Sequence, residues 1–264
     1  MKKMKFVALL AAVLSVLTFS SCLDGDSNST NAFSGYVQVG GMLGNYSFTT
    51  PDGYQIMPLN QGVFTKPIDT KFAFLNCTYD SEIMSTGSKV IQATLISPFI
   101  PIKSKYPTND IQNMKEFANA PITNVGGVGA AIHFGWTSST MFVPLKYFVK
   151  SYSDSQAQQQ EFDAHSFEIF YDVNDKDAVK GQFVLHLRHA VTNPEENKNR
   201  QSETIGIYHF DLSSALFEFE NAHGSSPRTI VVEYEQNYTG EYGRDTMPAR
   251  VEVDYETVLK GFSK

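Results

Sequence analysis

Cysteine is almost missing from this chain: Cys22 and Cys77 are the only two in 264 residues. One pair at most excludes a disulfide-stapled scaffold and any four-cysteine zinc site. Basic residues are also short, 21 against 28 acidic ones for a formal net charge of -7, and Lys2, Lys3 and Lys5 spend part of that supply at the extreme N-terminus. The acidic remainder argues against polyanionic partners, nucleic acid included. Signatures of catalysis are missing as well. The chain has no Gly-x-Ser-x-Gly elbow and no His-Glu-x-x-His, and its glycine-rich stretch Asn124-Val-Gly-Gly-Val-Gly-Ala130 lacks the spacing of either nucleotide-binding loop. No cofactor is implied.

What the chain does have begins with its leader. A Lys-rich start and an apolar run from Phe6 to Phe19 match a secretory signal in length and charge and fall short of a membrane span, which needs about 20 apolar residues. Ser20 and Ser21 then precede Cys22. The arrangement resembles a bacterial lipoprotein signal, cut before the cysteine, with Phe19 where Leu is usual. It implies lipidation, palmitate included, on Cys22 and residence at the outer membrane. Asp24 and Asp26 resemble the acidic signal that sends Bacteroidota lipoproteins to the cell surface. With Cys22 so used, Cys77 has no partner within the chain. Its place in the apolar run Lys71 to Tyr79 makes it a packing residue.

Aromatic content is high, with 20 Phe and 13 Tyr, and flat rings suit pleated sheets. The expected architecture is all-β: a signal peptide (1–21), a flexible tether (22–32), a small five-stranded barrel (33–103), a proline-rich linker (104–123) and an antiparallel β-sandwich (124–264). Five short β-branched and aromatic runs carry the barrel: Phe33 to Val39, Asn45 to Thr49, Tyr54 to Pro58, Lys71 to Tyr79 and Lys89 to Pro98. That strand count matches the oligonucleotide/oligosaccharide-binding barrel. Nucleic acid is nevertheless a poor ligand for it, because residues 33–103 hold four Lys, no Arg and four acids. The linker carries one expected short helix, Asp110 to Asn119.

Seven strands are expected in the second domain: Ala130 to Trp136, Met141 to Phe148, Ser166 to Asp172, Gln182 to His189, Thr204 to Phe210, Arg228 to Gln236 and Ala249 to Leu259. Alternation is clearest where Val251, Val253 and Tyr255 share one face and Glu252, Asp254 and Glu256 the other. These acids, with Glu233 and Glu235, read as a solvated face and not as a glycosidase pair. Ser151 to Glu161 reads as an exposed loop or short helix and Asn193 to Arg200 as a charged hairpin loop.

The segments Leu185-His-Leu-Arg-His-Ala190 and Tyr208-His-Phe-Asp-Leu-Ser213 resemble the C-terminal sandwich of NigD-like lipoproteins of Bacteroidota. Gly53-Tyr-Gln-Ile-Met-Pro58 is similar to a strand of that family's N-terminal barrel. The resemblance implies a lipid-anchored barrel and sandwich without an established activity, and the family's name comes from a bacteriocin locus. Asp245-Thr246-Met247 resembles the O-glycosylation pattern of exported Bacteroidota proteins, which makes Thr246 a candidate acceptor.

Three of the six histidines, His186, His189 and His209, sit close in this region. Strand alternation separates His186 from His189, and a pair formed by His189 and His209 falls short of the three or four ligands of a zinc site. No metal is expected. The expected function is that of a non-enzymatic module binding an envelope protein or glycan, with a bacteriocin-immunity or envelope-assembly protein and an unrecognised hydrolase as the alternatives.

Overall fold

Strand β1 (Thr30–Met42) serves two partners. Its first part pairs antiparallel with β4 (Phe72–Asp80), from Thr30↔Asp80 to Gln38↔Phe72, and its end pairs with β2 (Asn45–Thr49), from Gln38↔Thr49 to Met42↔Asn45. β3 (Gln55–Pro58) joins β2 antiparallel and β5 (Val90–Leu95) in parallel, and β5 joins β4. The order 1-2-3-5-4 thus returns to β1 and closes a five-stranded barrel, with β6 (Ile100–Ile102) added alongside β4. This computed structural model describes residues 30–80, 88–97, 99–126, 131–176, 180–238 and 246–263, and the chain divides into two units between Ser104 and Lys105.

The barrel follows from alternation. Val37, Phe48, Ile56, Ala73, Leu75, Cys77, Ile91 and Ala93 point inward and are buried, as a small barrel filled by side chains requires. Cys77 is completely enclosed. Burial pushes its thiol up to about 12, so no thiolate forms near neutral pH. β1 starts at Thr30, so Thr30, Asn31 and Ala32 belong to the ladder with Asp80, Tyr79 and Thr78 and not to the tether expected for them. Asn31 and Ala32 have little strand propensity, and pairing with β4 overrides it.

The second unit stacks two sheets. In one, β10 (Thr140–Val149) lies between β13 (Ser202–Asp211) and the short β8 (Asn124–Val125), with β9 (His133–Phe134) also on β10 and β7 (Ser104–Lys105) beside β13. The other has the order β11 (His165–Tyr171), β12 (Gln182–Val191), β14 (Thr229–Gln236), β15 (Met247–Asp254). Met141, Val143, Leu145, Tyr147 and Val149 alternate along β10 into one core with Phe167, Ile169, Leu185, Leu187, Ile230 and Val232. Both inner faces interdigitate, the arrangement of a sandwich.

Several expectations need correction. Residues 105–123 are part of the second unit and not a linker: Ile122 is in its core, and the Asn119 side chain both donates to Val191 O and accepts from Val191 N. The expected helix there shrinks to α1 (Met114–Phe117) after a 3-10 turn. The sandwich is not wholly antiparallel, because β12 and β14 run parallel. A parallel neighbour needs a crossover, and the chain supplies one through β13 and the helix α3 (Ser213–His223), with α2 (Ser155–Ala164) introduced earlier in the insert. Residues 193–200 are consequently no hairpin loop; their 3-10 turn carries the chain from one sheet to the other.

Helix α3 buries Ala215, Leu216 and Phe219 on one stripe and ends at Gly224, whose φ of +74° suits a left-handed cap. The strand expected to run to Leu259 stops at Asp254. There the carboxylate accepts from Thr257 N at 3.1 Å and Thr257 Oγ1 at 2.7 Å, capping α4 (Tyr255–Phe262).

At the β1–β2 turn, Gly41 has φ +83° and a Cβ there would stand 2.1 Å from Asn45 O. Gly41→Ala should therefore lower the stability of the barrel by about 2 kcal/mol or more, from strain plus the clash, read as a shift in its urea midpoint while the sandwich transition stays in place.

Candidate functional site

Cys22 lies outside the described residues. Thr246 lies just before β15, partly exposed, and its hydroxyl accepts a 3.2 Å hydrogen bond from Asn237 Nδ2. Asp245 of the same pattern lies outside the described residues. The histidines separate. β12 sends His186 outward and His189 into the sandwich, as the pleat demands. His209 belongs to β13, in the other sheet, and faces away from the core opposite Phe142, whose ring is 5.3 Å from it and 5.0 Å from that of His133. β12 and β13 do not pair, so the possible pairing of His189 with His209 is ruled out. Among the described residues no group of three His, Cys, Asp or Glu side chains is placed to hold a metal.

What His189 meets instead is His165, the first residue of β11. Pro121 O can only accept, so His189 Nδ1 at 2.8 Å carries the proton and donates to it. His189 Nε2 is then an acceptor for His165 Nδ1–H at 2.9 Å. This leaves His165 Nε2 bare toward Glu161 Oε1, and that contact is the longest of the three at 3.3 Å. The carboxylate is held from elsewhere, by Arg200 Nε at 2.7 Å and the Lys150 N–H at 3.0 Å. Arg200 reaches on to Asn193 O and Asn197 Oδ1, and Asn197 to Asn119 O. His189 also stacks on Phe167 at 4.1 Å.

Burial sets the charge states in this cluster. Desolvation lowers His165 from 6.5 to about 4, with Glu161 pulling the other way and Arg200 adding to the drop. Desolvation also holds His189 well below its ordinary value, helped by His165. For Glu161 burial pushes up, but the hydrogen bonds from Arg200 Nε and the Lys150 N–H, with the Arg200 charge beside it, leave the carboxyl below the usual range. Two neutral imidazoles and one buried ion pair make a polar pin closed to solutes. No sequence motif marked it, since Glu161 and His165 bracket the end of the Gln-rich insert, which reads as exposed.

On the outer face of the same sheet, Glu233 sits between β12 and β15. His186 Nδ1 lies 2.9 Å from Glu233 Oε1, and Arg250 donates to Oε2 through Nη2 at 2.9 Å and Nε at 3.2 Å. Arg188 Nη2 is 3.9 Å from Oε1, and Asp175 Oδ2 is 3.9 Å from His186 Nε2. Burial raises the Glu233 carboxyl, yet the bonds from Arg250 and His186 hold it below its usual range. Glu233 is therefore a bound hub and not one of a solvated row. A carboxylate so occupied is a poor base. The signal was the register His186↔Glu233↔Arg250 across three strands, which needs the strand order to be seen.

The fold thus defined, a closed five-stranded barrel followed by a mixed-sheet sandwich, has solved relatives. One is a Bacteroides fragilis NCTC 9343 protein bearing the name "Putative lipoprotein", with a TM-score of 0.71, 23% sequence identity, and coverage of 85% of this chain and 98% of that one. Another is a protein of unknown function from Bacteroides vulgatus ATCC 8482, at a TM-score of 0.52 and 12% identity over 85% of this chain and 91% of the other. At these identities the likeness shows a shared fold. No family model matches the sequence, and no curated protein matches it.

Arg200→Ala should cost about 3 kcal/mol or more, because it strands a buried carboxylate beside a neutral imidazole; chemical denaturation of the second unit measures it. The histidines make the protein acid-sensitive. Their folded pKa values lie below the unfolded one, so the stability they carry is present above pH 6.5 and is lost as pH falls toward about 4. A melting temperature that stays level between pH 7 and pH 4.5 would contradict the assignment.

Proposed function

We propose that this chain is a lipid-anchored cell-envelope protein of the NigD-like kind, attached through Cys22 to the outer membrane, that binds an envelope protein or glycan rather than transforming a substrate. The observation that carries the reading is the short distance in sequence between Cys22 and Thr30, where β1 begins. Eight residues span at most about 29 Å when fully extended, so an acylated Cys22 would hold the barrel close to the bilayer. The fold shared with a Bacteroides fragilis protein named as a lipoprotein supports the same location. Support for binding over chemistry comes from the two polar clusters, whose reactive groups are sealed or already hydrogen-bonded. Thr246, if it is the O-glycan acceptor, would add a sugar at the entry to β15.

Cys22→Ala should abolish labelling with radioactive palmitate and leave the protein soluble after an alkaline carbonate wash. Continued membrane attachment of the variant would refute the anchor. Capture of a specific envelope protein or glycan by the wild type, identified by mass spectrometry and a glycan array, is the expected result for a binding module, and silence on both would sink that part of the reading.

A further inference from the structure

β15 is the last strand of its sheet. It pairs with β14 on one side, and among the described residues no strand lies on the other. Tyr255 N donates to Arg228 O at 2.9 Å, which continues the register Thr229↔Asp254. In an antiparallel ladder each residue turns both its N–H and its C=O to one side, and the side alternates along the strand. Met247, Ala249, Val251 and Val253 therefore direct their backbone groups to β14, as Tyr255 does. Pro248, Arg250, Glu252 and Asp254 turn theirs to the open edge. Pro248 has no N–H, and it stands where that donor would point to solvent. Val251 and Val253 are only partly buried although they face the core, as suits a sheet that stops at this strand.

An open edge is a template for another strand, and the sequence of this one selects its partner. With a second copy lying antiparallel and the twofold axis at Val251, Arg250 stands opposite Glu252 of the second copy, and Glu252 opposite its Arg250. Both residues face the edge, so each pair can exchange N–H and C=O while opposite charges meet across the strands. Moving the axis to either neighbouring edge-facing residue sets Arg250 against Arg250 or Glu252 against Glu252. Arg250 keeps its bonds to Glu233 through Nη2 and Nε, and its side chain is 43% exposed beside the edge. The same register accommodates the proline. Pro248 falls opposite Asp254 of the second copy, the N-cap of α4, whose C=O already accepts the first bond of that helix. The missing donor thus meets an acceptor already in use, and the Pro248 C=O takes the Asp254 N–H. Met247, 53% exposed at the start of the strand, comes beside the first turn of the other copy's α4.

We propose that β15 joins β15 of a second copy across this twofold axis, so that the two sheets run on as one and the chain forms a homodimer through its second unit. The pairing is independent of what the module binds. Light scattering of the full-length protein in detergent micelles tests it, with Glu252→Pro as the first variant: the ring removes an N–H that points to the edge and leaves the β14 ladder alone. A dimer is expected for the wild type and a monomer for Glu252→Pro, with an unchanged far-ultraviolet circular dichroism spectrum as the control for folding. Glu252→Arg should weaken the dimer about tenfold or more, because the favourable cross-strand pairs become like-charged. Single added cysteines read the register in isolated membranes, with the wild type as the blank for Cys22 and Cys77. On oxidation Val251→Cys should cross-link to itself, since the two positions meet at the axis, and Ala249→Cys, displaced along the strand from its own counterpart, should not. Should Glu252→Pro lose its spectrum, Glu252→Arg and the cysteines decide. A monomeric wild type, a folded Glu252→Pro that stays dimeric, an unweakened Glu252→Arg, or Val251→Cys that fails to cross-link or does so no better than Ala249→Cys would each overturn the pairing.

Discussion

The pleat of β12 governs the second unit. Pairing with β11 on one side and β14 on the other fixes which way each of its residues points, and the two polar clusters hang from opposite faces of this one strand. His189 turns inward to His165, and His186 and Arg188 turn outward to Glu233. A slip of one residue would exchange the faces, burying His186 and Arg188 in an apolar core and exposing Leu185 and Leu187. Polar residues at two places on the strand therefore specify register as firmly as the apolar ones do.

Strands were legible in the sequence because local patterning makes them. Five of the seven runs expected in the second domain coincide with long strands to within two residues, and Ala249 to Leu259 overruns its strand into α4; of Ala130 to Trp136, where Ala130 lies outside the described residues, the described part yields only β9. The barrel strands Asn45–Thr49 and Gln55–Pro58 nearly coincide as well. What escaped depended on partners far away in the chain. The parallel pair β12–β14 cannot be inferred from alternation, since both strands look alike whichever way the neighbour runs. α3 carries a stripe in Leu212, Ala215, Leu216 and Phe219 with Gly224 beyond it, but the stripe spans barely two turns between strand patterns on either side. At Asp254 the period changes from two to the helical one within a single residue, so Tyr255 continued a strand pattern that had already ended.

The candidate sites were less legible than the fold for the same reason. His165 is alone in its stretch and acquires meaning only when the β11–β12 ladder sets Phe167 against His189 and brings the two imidazoles within 2.9 Å. Glu161 reads as one acid at the end of a glutamine run, and becomes buried only because Arg200, from a loop 39 residues away, closes over it. Groups that ionise on opposite sides of neutrality are thereby packed together inside an apolar core. Their uncharged or paired states are a condition of the fold and not a reserve of reactivity.

Barrel closure has a mechanical consequence. β1 and β6 flank β4 and run in the same direction, so tension between residue 30 and residue 102 draws the two outer strands apart along their length. Such a load is a shear, which strains the rungs of a ladder together, whereas peeling would break them one after another. The long ladder from Thr30↔Asp80 to Gln38↔Phe72 is the strong part of this path. The short one beside it, Phe72↔Ile102 to Phe74↔Ile100, contains Pro101, which has no N–H to donate. Under pull the barrel therefore yields first at β6, and its closed wall is still intact when that outer strand lets go.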